Sequence, residues 1–399
     1  MSHEPPLNGV RILDLTHMLS GPYASMLLGD LGADVVKVES PDRPDRARSV
    51  PPWRVGDQSA YYLSLNRNKR SVTLDLKAPG DLKRFLSLVR SADVVFENFR
   101  PGVADRLGIG RAELEAHNPD IIVCSLSGYG QSGPWKDRPA YDYLVQALAG
   151  TMSLTGDPDG PPTKYGVSIV DHVGGLFAVI GILTAMVSRQ RGGELRAVDV
   201  SLYDSHLSLL SYLAGWQLNC NAVPTRQAAS AHPTLVPSQV FDTADGHVVI
   251  MVLADHFWPP MCHALQMPQL AADPRFADAA SRLTHRDELA SILSERLREE
   301  PTAHWVDALV AAGVPAAPVQ SVPDALAGEQ ARARDMVLQL RHPHYGAYQA
   351  VGNPLKFPGA QMPARPAPLL GEHTEEVLAE AAAASEGEQA PSAQGGRDE

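Results

Sequence analysis

The sequence predicts an α/β fold, with a large doubly wound, Rossmann-like domain and a smaller α+β domain. Two observations carry that reading. Short β-branched runs alternate with helical periods from Val10 to Ser127, the pattern of βαβ units on a largely parallel sheet. Past a polar, proline-punctuated stretch at 221–233 the texture changes to hairpins and amphipathic helices. At 399 residues and 44% apolar side chains, the chain is long enough for two or three domains of roughly 100–200 residues.

In order, VRILDLT (10–16) reads as a strand, PYASMLLGDLG (22–32) as a helix and ADVVKVE (33–39) as a second strand. SVTLDL (71–76), a helix over 81–92, DVVFEN (93–98), a short helix over 111–118 and DIIVCSLS (120–127) continue the alternation. Ligands of such sheets bind at the carboxyl ends of the strands. Apolar helices follow at 141–154 and 171–189, then a strand at 196–202 and a helix at 203–216. Beyond the linker, SQVFDTADGHVVIMVL reads as a hairpin turning at 244–246; helices at 289–299 and 302–312 and a hairpin around 344–346 come next. The final segment, 383–399, is acidic, poor in bulky apolar groups and expected to be disordered.

The charge is −12, from 34 basic and 46 acidic residues, which gives no general pull toward nucleic acid or an anionic membrane. Eight acids against one base place −7 of it between Glu372 and Glu399. Cys124, Cys220 and Cys262 match no C-x-x-C pattern, as suits a reducing cytoplasm. MSHEPPLNGVRILDL lacks the composition of a signal peptide, and the apolar run 173–187 falls short of the roughly 18–20 residues that span a bilayer, so it reads as a buried helix. The expectation is a cytoplasmic protein with no membrane or nucleic-acid partner.

Gly128-Tyr-Gly-Gln-Ser-Gly133 matches G-x-G-x-x-G after a strand, but Pro134, Trp135 and Pro139 stand where the phosphate-binding helix should begin. It reads as a glycine-rich active-site loop instead. No G-x-S-x-G elbow, no H-E-x-x-H, no phosphate-binding P-loop and no metal-ligand spacing occurs, so no metal is expected. Asp171 opens a long apolar helix and is followed by the Gly174-Gly175 turn, a small-residue pair that lets another backbone or a ligand approach closely. Position alone leaves two readings open: a plain N-cap, or an ionised carboxylate at a positive helix end, placed to attack a carbonyl. Between Lys37 and Arg111 stand fifteen Lys and Arg, several in loops after strands, which suits a phosphate-bearing ligand.

LNGVRILDLTHMLSGPYASMLLGDLGADVVKVE, SLNRNKRSVTLDLK, ENFRPGVADRLG, SLSGYGQSGP, DRPAYDYLVQALAG and GPPTKYGVSIVDHVGGLFAVIGI, with PLLGEHT near the end, closely resemble the class III CoA-transferases, the family of formyl-CoA transferase, carnitine CoA-transferase and α-methylacyl-CoA racemase. The resemblance runs from about residue 7 to 374. It implies that 1–220 begin a large CoA-binding domain, that 221–330 form the small domain, that 331–382 return to the large one, and that two subunits interlock as rings. CoA enters as a thioester co-substrate, with no tightly bound cofactor.

Asp171 then falls on the family's catalytic aspartate. His17, Arg48, Lys69, Asn98, Phe99 and Arg106 are implied for CoA. Tyr141, His232 and Gln239 are implied for the acceptor acid, and the amides of Gly128, Gly130, Gly174 and Gly175 for oxyanions. Where racemases carry a histidine this chain has Tyr141, a poor base at neutral pH with an unperturbed pKa of about 10. That favours transferase over the rival 2-methylacyl-CoA racemase or epimerase, which needs two proton-transfer groups. The four-glycine loop of formyl-CoA transferases is absent; Ala231 to Val240 resembles branches using succinyl-CoA and small dicarboxylates, the succinate–hydroxymethylglutarate (glutarate) transferases above all. The implied acceptor is a small carboxylic acid, a dicarboxylate before others, with oxalate disfavoured.

Overall fold

The computed structural model describes residues 3–389. The chain forms two compact units: one holds everything up to Ala149, Gly166–Leu209 and the chain from Gln330; the other holds Gly150–Tyr165 and Leu210–Glu329. The second unit thus begins eleven residues before the expected 221 and takes in the loop 150–165 as well.

In the first unit, six parallel strands form one sheet: β1 (Arg11–Asp14), β2 (Asp34–Glu39), β3 (Lys69–Thr73), β4 (Val94–Glu97), β5 (Ile122–Ser127) and β6 (Ala197–Ser201). Their spatial order is β3-β2-β1-β4-β5-β6, with every pairing parallel. The order reverses between β1 and β4, and that reversal is where sheets of this type bind ligands.

Side chains alternate across the sheet. Ile12, Val35, Val94, Phe96, Ile122 and Cys124 face α1 (Ser20–Asp30) and α5 (Ile169–Gln190). Leu13, Val36, Val72, Val95 and Val123 face α2 (Pro79–Val89) and α3 (Arg111–His117). Burial on both faces explains why the strands read as near-continuous apolar runs. Between α3 and α5 lies α4 (Asp142–Leu148), and after β6 comes α6 (Leu202–Ser208).

Among the described residues α5 is the one helix long and apolar enough to cross a membrane; Val170, Ala178, Ile182 and Ala185 on it are fully or nearly fully buried in the core. Gly174 and Gly175 lie inside this helix rather than in a turn. A Cβ on Gly175 would stand 2.7 Å from the Ser20 carbonyl oxygen, so glycine there permits the close contact of α5 with α1.

Two expected helices are shorter than their apolar pattern. The one expected over 141–154 stops at Leu148, where Gly150 turns left-handed at φ 88°. The one expected over 203–216 is broken after Leu209, with Ser211 at φ 42°, and resumes as α7 (Ser211–Cys220) in the second unit.

The second unit has a three-stranded antiparallel sheet, order β9-β8-β7, from β7 (Ser238–Asp242), β8 (His247–Met251) and β9 (Ala316–Pro318). Phe241, Trp258, Phe276 and Trp305 fill its core.

In the first unit, β10 (Val337–His342) and β11 (Gly346–Val351) make the second hairpin. A final helix, Thr374–Gln389, packs Val377 and Ala381 onto the α2 side of the sheet. Residues 383–389, expected in a disordered tail, are helical here, and 390–399 lie outside the described residues. Part of the terminal acidity is therefore structural: Glu376 and Glu380 pair with the nearly buried Arg70 at 2.9 and 2.7 Å.

Candidate active site

The loops after β1 and β4 meet at the reversal of strand order, and side chains hold the backbone of the β1 loop in place. Thr16 donates its amide to Asp14, and its carbonyl accepts from the Lys37 ammonium at 2.7 Å. His17 gives its amide to the Asn98 side-chain oxygen and accepts from the Asn98 amide. Met18, left-handed at φ 65°, donates to Asp45 at 3.0 Å. A non-glycine residue in that conformation costs of order 1–3 kcal/mol and persists where its surroundings over-determine it, as they do here.

Below this loop a cavity of about 340 Å³ is lined by His17, Tyr61, Asn98, Phe99, Gly128, Tyr141, Asp142 and Asp171, among others. Asp171 is the third residue of α5, and the Ser20 hydroxyl donates to its backbone carbonyl at 2.9 Å. Its carboxylate accepts no hydrogen bond among the described residues, so it is no N-cap. The amide that a cap would take belongs to Asp142, whose other oxygen accepts from Gln146: Val170 N–H to Asp142 Oδ2 is 2.9 Å and Gln146 Nε2 to Asp142 Oδ1 is 2.7 Å.

Burial, and then the charge of Asp142, push Asp171 up to about 7. A helix N-terminus favours an anion by roughly 0.3–1 kcal/mol, whereas a rise from 3.8 to about 7 corresponds to about 4 kcal/mol, so burial outweighs the dipole. Tyr61, facing the same space, is raised to about 12 by its burial and then by Asp171. It is therefore a phenol donor throughout the working pH range. Lys136 and Arg138 also line this cavity.

A second cavity, of about 290 Å³, adjoins the first through His17 and Phe99, which line both. Its floor is apolar, from Leu15, Val38, Leu74, Leu76 and Leu107, and Arg43 and Lys77 stand on its exposed rim. Glu39, Asp42 and Asp75 line it as well, so the two bases stand among carboxylates.

His17, Asn98, Phe99, Gly128, Tyr141 and Asp171 thus share one cavity. The other residues do not join them. Lys69 is wholly buried, and its ammonium donates to Asp14, the Pro22 carbonyl and Asn66 at 3.1, 3.1 and 2.9 Å, which uses all three protons. Arg48 is spent on Glu39, Tyr62 and the Pro368 carbonyl and stacks 3.9 Å from the Tyr62 ring centre. Lys69 has no proton left for a CoA phosphate, and Arg48, paired with Glu39, lines neither cavity.

Arg106 is exposed on the short helix Val103–Arg106 and lines neither cavity. Gly130 lines a separate aromatic cavity with Tyr129, Trp135 and Tyr203. Gly174 and Gly175 are six and seven residues into α5, where their amides belong to the helix ladder, so they offer no oxyanion donors. His232 and Gln239 lie in the second unit; the His232 Nδ1 accepts from the amides of Thr234 and Leu235.

Arg43, Tyr61, Lys77 and Asp142 are the cavity residues that sequence reasoning passes over. For Lys77 a signal is present. It follows β3 at the carboxyl end, where ligands bind, whereas Lys69 opens the strand at the other end. Asp142 has none, because its contact with Val170 spans 28 residues.

The model of CoA-transferase family III matches residues 7–374. The chain belongs to CoA-transferase family III. It is therefore a CoA-transferase, with a CoA thioester as co-substrate. An acetyl-CoA:oxalate CoA-transferase of Acetobacter aceti is 42% identical, over 92% of this chain and 93% of that protein. The succinyl-CoA:glutarate CoA-transferase of Mus musculus is 37% identical, over 96% and 88%. A CAIB/BAIF family protein from Brucella suis has the same fold, with a TM-score of 0.85 at 35% identity, covering 95% of this chain and all of that one.

Proposed function

We propose that this transferase moves CoA from an acyl-CoA donor, succinyl-CoA, to a small dicarboxylic acid, with Asp171 as nucleophile. The observation that carries the reading is a carboxylate with no hydrogen-bond partner among the described residues, lining a cavity that adjoins an apolar slot with Arg43 and Lys77 on its rim. Adenine and phosphates occupy the slot beside Arg43 and Lys77, the pantetheine arm passes His17 and Phe99, and the thioester reaches Asp171.

Asp171 attacks the thioester carbonyl and the C–S bond breaks, giving an aspartyl–acyl anhydride and CoA thiolate. The thiolate attacks the aspartyl carbonyl, releasing the donor acid and leaving an aspartyl–CoA thioester. The acceptor carboxylate then reverses the sequence. Thioester energy is conserved as long as water is excluded. The Gly128 amide and the Tyr61 hydroxyl are the cavity donors assigned to the oxyanion. Tyr141, in the cavity, is assigned to the acceptor acid.

The relatives' names include glutarate and oxalate, both short dicarboxylates, which supports that acceptor class. Leu144, Leu148, Leu176, Phe177, Ile180 and Val187 on α4 and α5 are exposed apolar residues, which supports burial of this surface in a homodimer. The protein is assigned to the cytoplasm.

The test is incubation with succinyl-CoA and a panel of acids, with new CoA esters identified by mass. Esters of glutarate, mesaconate or oxalate are expected. Exchange with monocarboxylates alone would overturn the acceptor class, and α-deuteration of a 2-methylacyl-CoA without any acid acceptor would overturn the transferase mechanism.

A further inference from the structure

The geometry points to Asp142 as a second functional carboxylate: a positioning residue whose fixed charge beside Asp171 favours acylation of Asp171 over the free carboxylate pair. The inference rests on Asp171 being the nucleophile.

Asp142 is immobilised twice. Its Oδ2 accepts from Val170, the residue before Asp171, at 2.9 Å, and its Oδ1 accepts from Gln146 at 2.7 Å. Gln146 is itself buried, on the next turn of α4. Neither oxygen is therefore free to turn away from α5, and both carboxylates line the same cavity. A carboxylate is not required for the cap alone, since asparagine or serine caps a helix equally well. The charge itself is what asparagine would lack.

The chemical consequence follows from the acylation step. When an Asp171 oxygen bonds to the thioester carbon, the C–S electron pair leaves on the CoA sulfur. The negative charge moves from Asp171, close to Asp142, to a thiolate that departs from it. Like-charge repulsion present before the step is absent after it. The same repulsion raises the basicity, and with it the nucleophilicity, of the Asp171 oxygens. It also favours the anhydride and the CoA thioester, in both of which Asp171 is uncharged.

Other groups face this pair. Tyr61, His17 and Tyr141 line the cavity with it, and Lys136 and Arg138 bring positive charge. His172, one residue along α5, holds the Ser168 carbonyl through Nδ1 at 2.7 Å and packs edge-on to Tyr23. His206, buried on α6, interacts electrostatically with Asp142, and burial lowers its pKa. Burial also lowers His17, with Lys37 adding to the effect.

The test compares Asp142→Asn with wild type. Asparagine accepts from Val170 through its carbonyl and donates to Gln146 once that side chain turns its amide over, so the cap survives and the charge goes. Donor kcat/KM is measured from pH 5 to 9, together with the rate at which a water-soluble carbodiimide labels the Asp171 peptide at each pH. Both inflections are expected to fall by about one pH unit or more in Asp142→Asn, with acylation at pH 8 slowed. Unchanged inflections in a variant with wild-type circular dichroism and melting temperature would overturn the proposal. Asp171→Asn provides the separate arm: if that variant retains exchange, the nucleophile assignment fails, whereas a labelled Asp171 with an unmoved inflection defeats only the role of Asp142.

Discussion

Asn98 grips the backbone of His17 at both ends, its oxygen accepting from the His17 amide and its nitrogen donating to the His17 carbonyl, each at 2.9 Å. The pair ties the end of β1 to the end of β4 where strand order reverses, and both residues line the cavity that holds Asp171. Asn98→Ala removes both bonds. It should cost ~2 kcal/mol of stability, from two half-buried hydrogen bonds, and raise the donor KM about tenfold or more. Asn98→Asp keeps the acceptor and loses the donor, and should fall between. Initial rates against donor concentration and urea midpoints check this; an unchanged KM in Asn98→Ala would refute it.

Asp171 gives stability a pH signature. Its pKa in the folded chain is about 7, against an ordinary value of 3.8, so folding favours the protonated form. That contribution is present in full below about pH 4 and is lost as pH rises through about 7. Asp171→Asn has no such group. Between pH 5 and 8 it should gain on wild type by on the order of 2 kcal/mol, while losing activity. Equal stability differences at the two pH values, read from denaturant midpoints, would contradict the burial of this carboxylate.

Lys69 and Lys77 should separate cleanly. Lys69 is the buried partner of Asp14; burial alone would raise that carboxyl, but Lys69 and Lys37 hold it at about 2. Removing the ammonium in Lys69→Ala leaves the carboxylate buried with less compensation, at a cost of ~3–5 kcal/mol. Lys77→Ala should leave stability within about 0.5 kcal/mol of wild type and raise the donor KM severalfold, more at low salt than at high. Calorimetry and donor titration at two ionic strengths distinguish the two; a Lys69 variant of normal stability but poor donor affinity would reverse the assignment.

Gly175→Ala tests the helix contact. The new methyl would sit 2.7 Å from the Ser20 carbonyl oxygen and 3.2 Å from the Tyr23 ring, so α1 and α5 must part. Overpacking of this kind costs ~1–3 kcal/mol. Because Ser20 also binds the Asp171 carbonyl, kcat should fall more than the donor KM rises. A variant with wild-type kcat would show that Asp171 does not depend on this contact.

What the sequence makes legible follows a physical rule. The six strands of the sheet are buried on both faces, so each appears as a short β-branched run and is located to within a few positions. Helix ends are less visible, since Gly150 and Ser211 break helices within segments that remain apolar. At the site, His17 and Asn98 are reached through the two separate motifs that carry the family resemblance, THMLSGP and ENFRPG. Side chains spent on distant partners cannot be read: Arg48 reaches the Pro368 carbonyl, and Asp142 caps a helix 28 residues on. Gly174-Gly175 signals the close approach of another backbone or a ligand, and at Gly175 the neighbour is the backbone of α1. Likewise the terminal acids look like a solvated tail because their bases, Arg11 and Arg70, lie near the opposite end of the chain.

The most direct test of the central assignment is to trap the acyl enzyme. The transferase is incubated with succinyl-CoA, quenched with hydroxylamine or borohydride, digested and analysed by mass spectrometry. An Asp171 hydroxamate, or its reduction product from the CoA thioester, is expected in the peptide containing Gly166 to Gly175, and no modification is expected in Asp171→Asn. A hydroxamate or reduced carboxyl on a different residue, or undiminished CoA exchange in Asp171→Asn, would contradict Asp171 as the nucleophile.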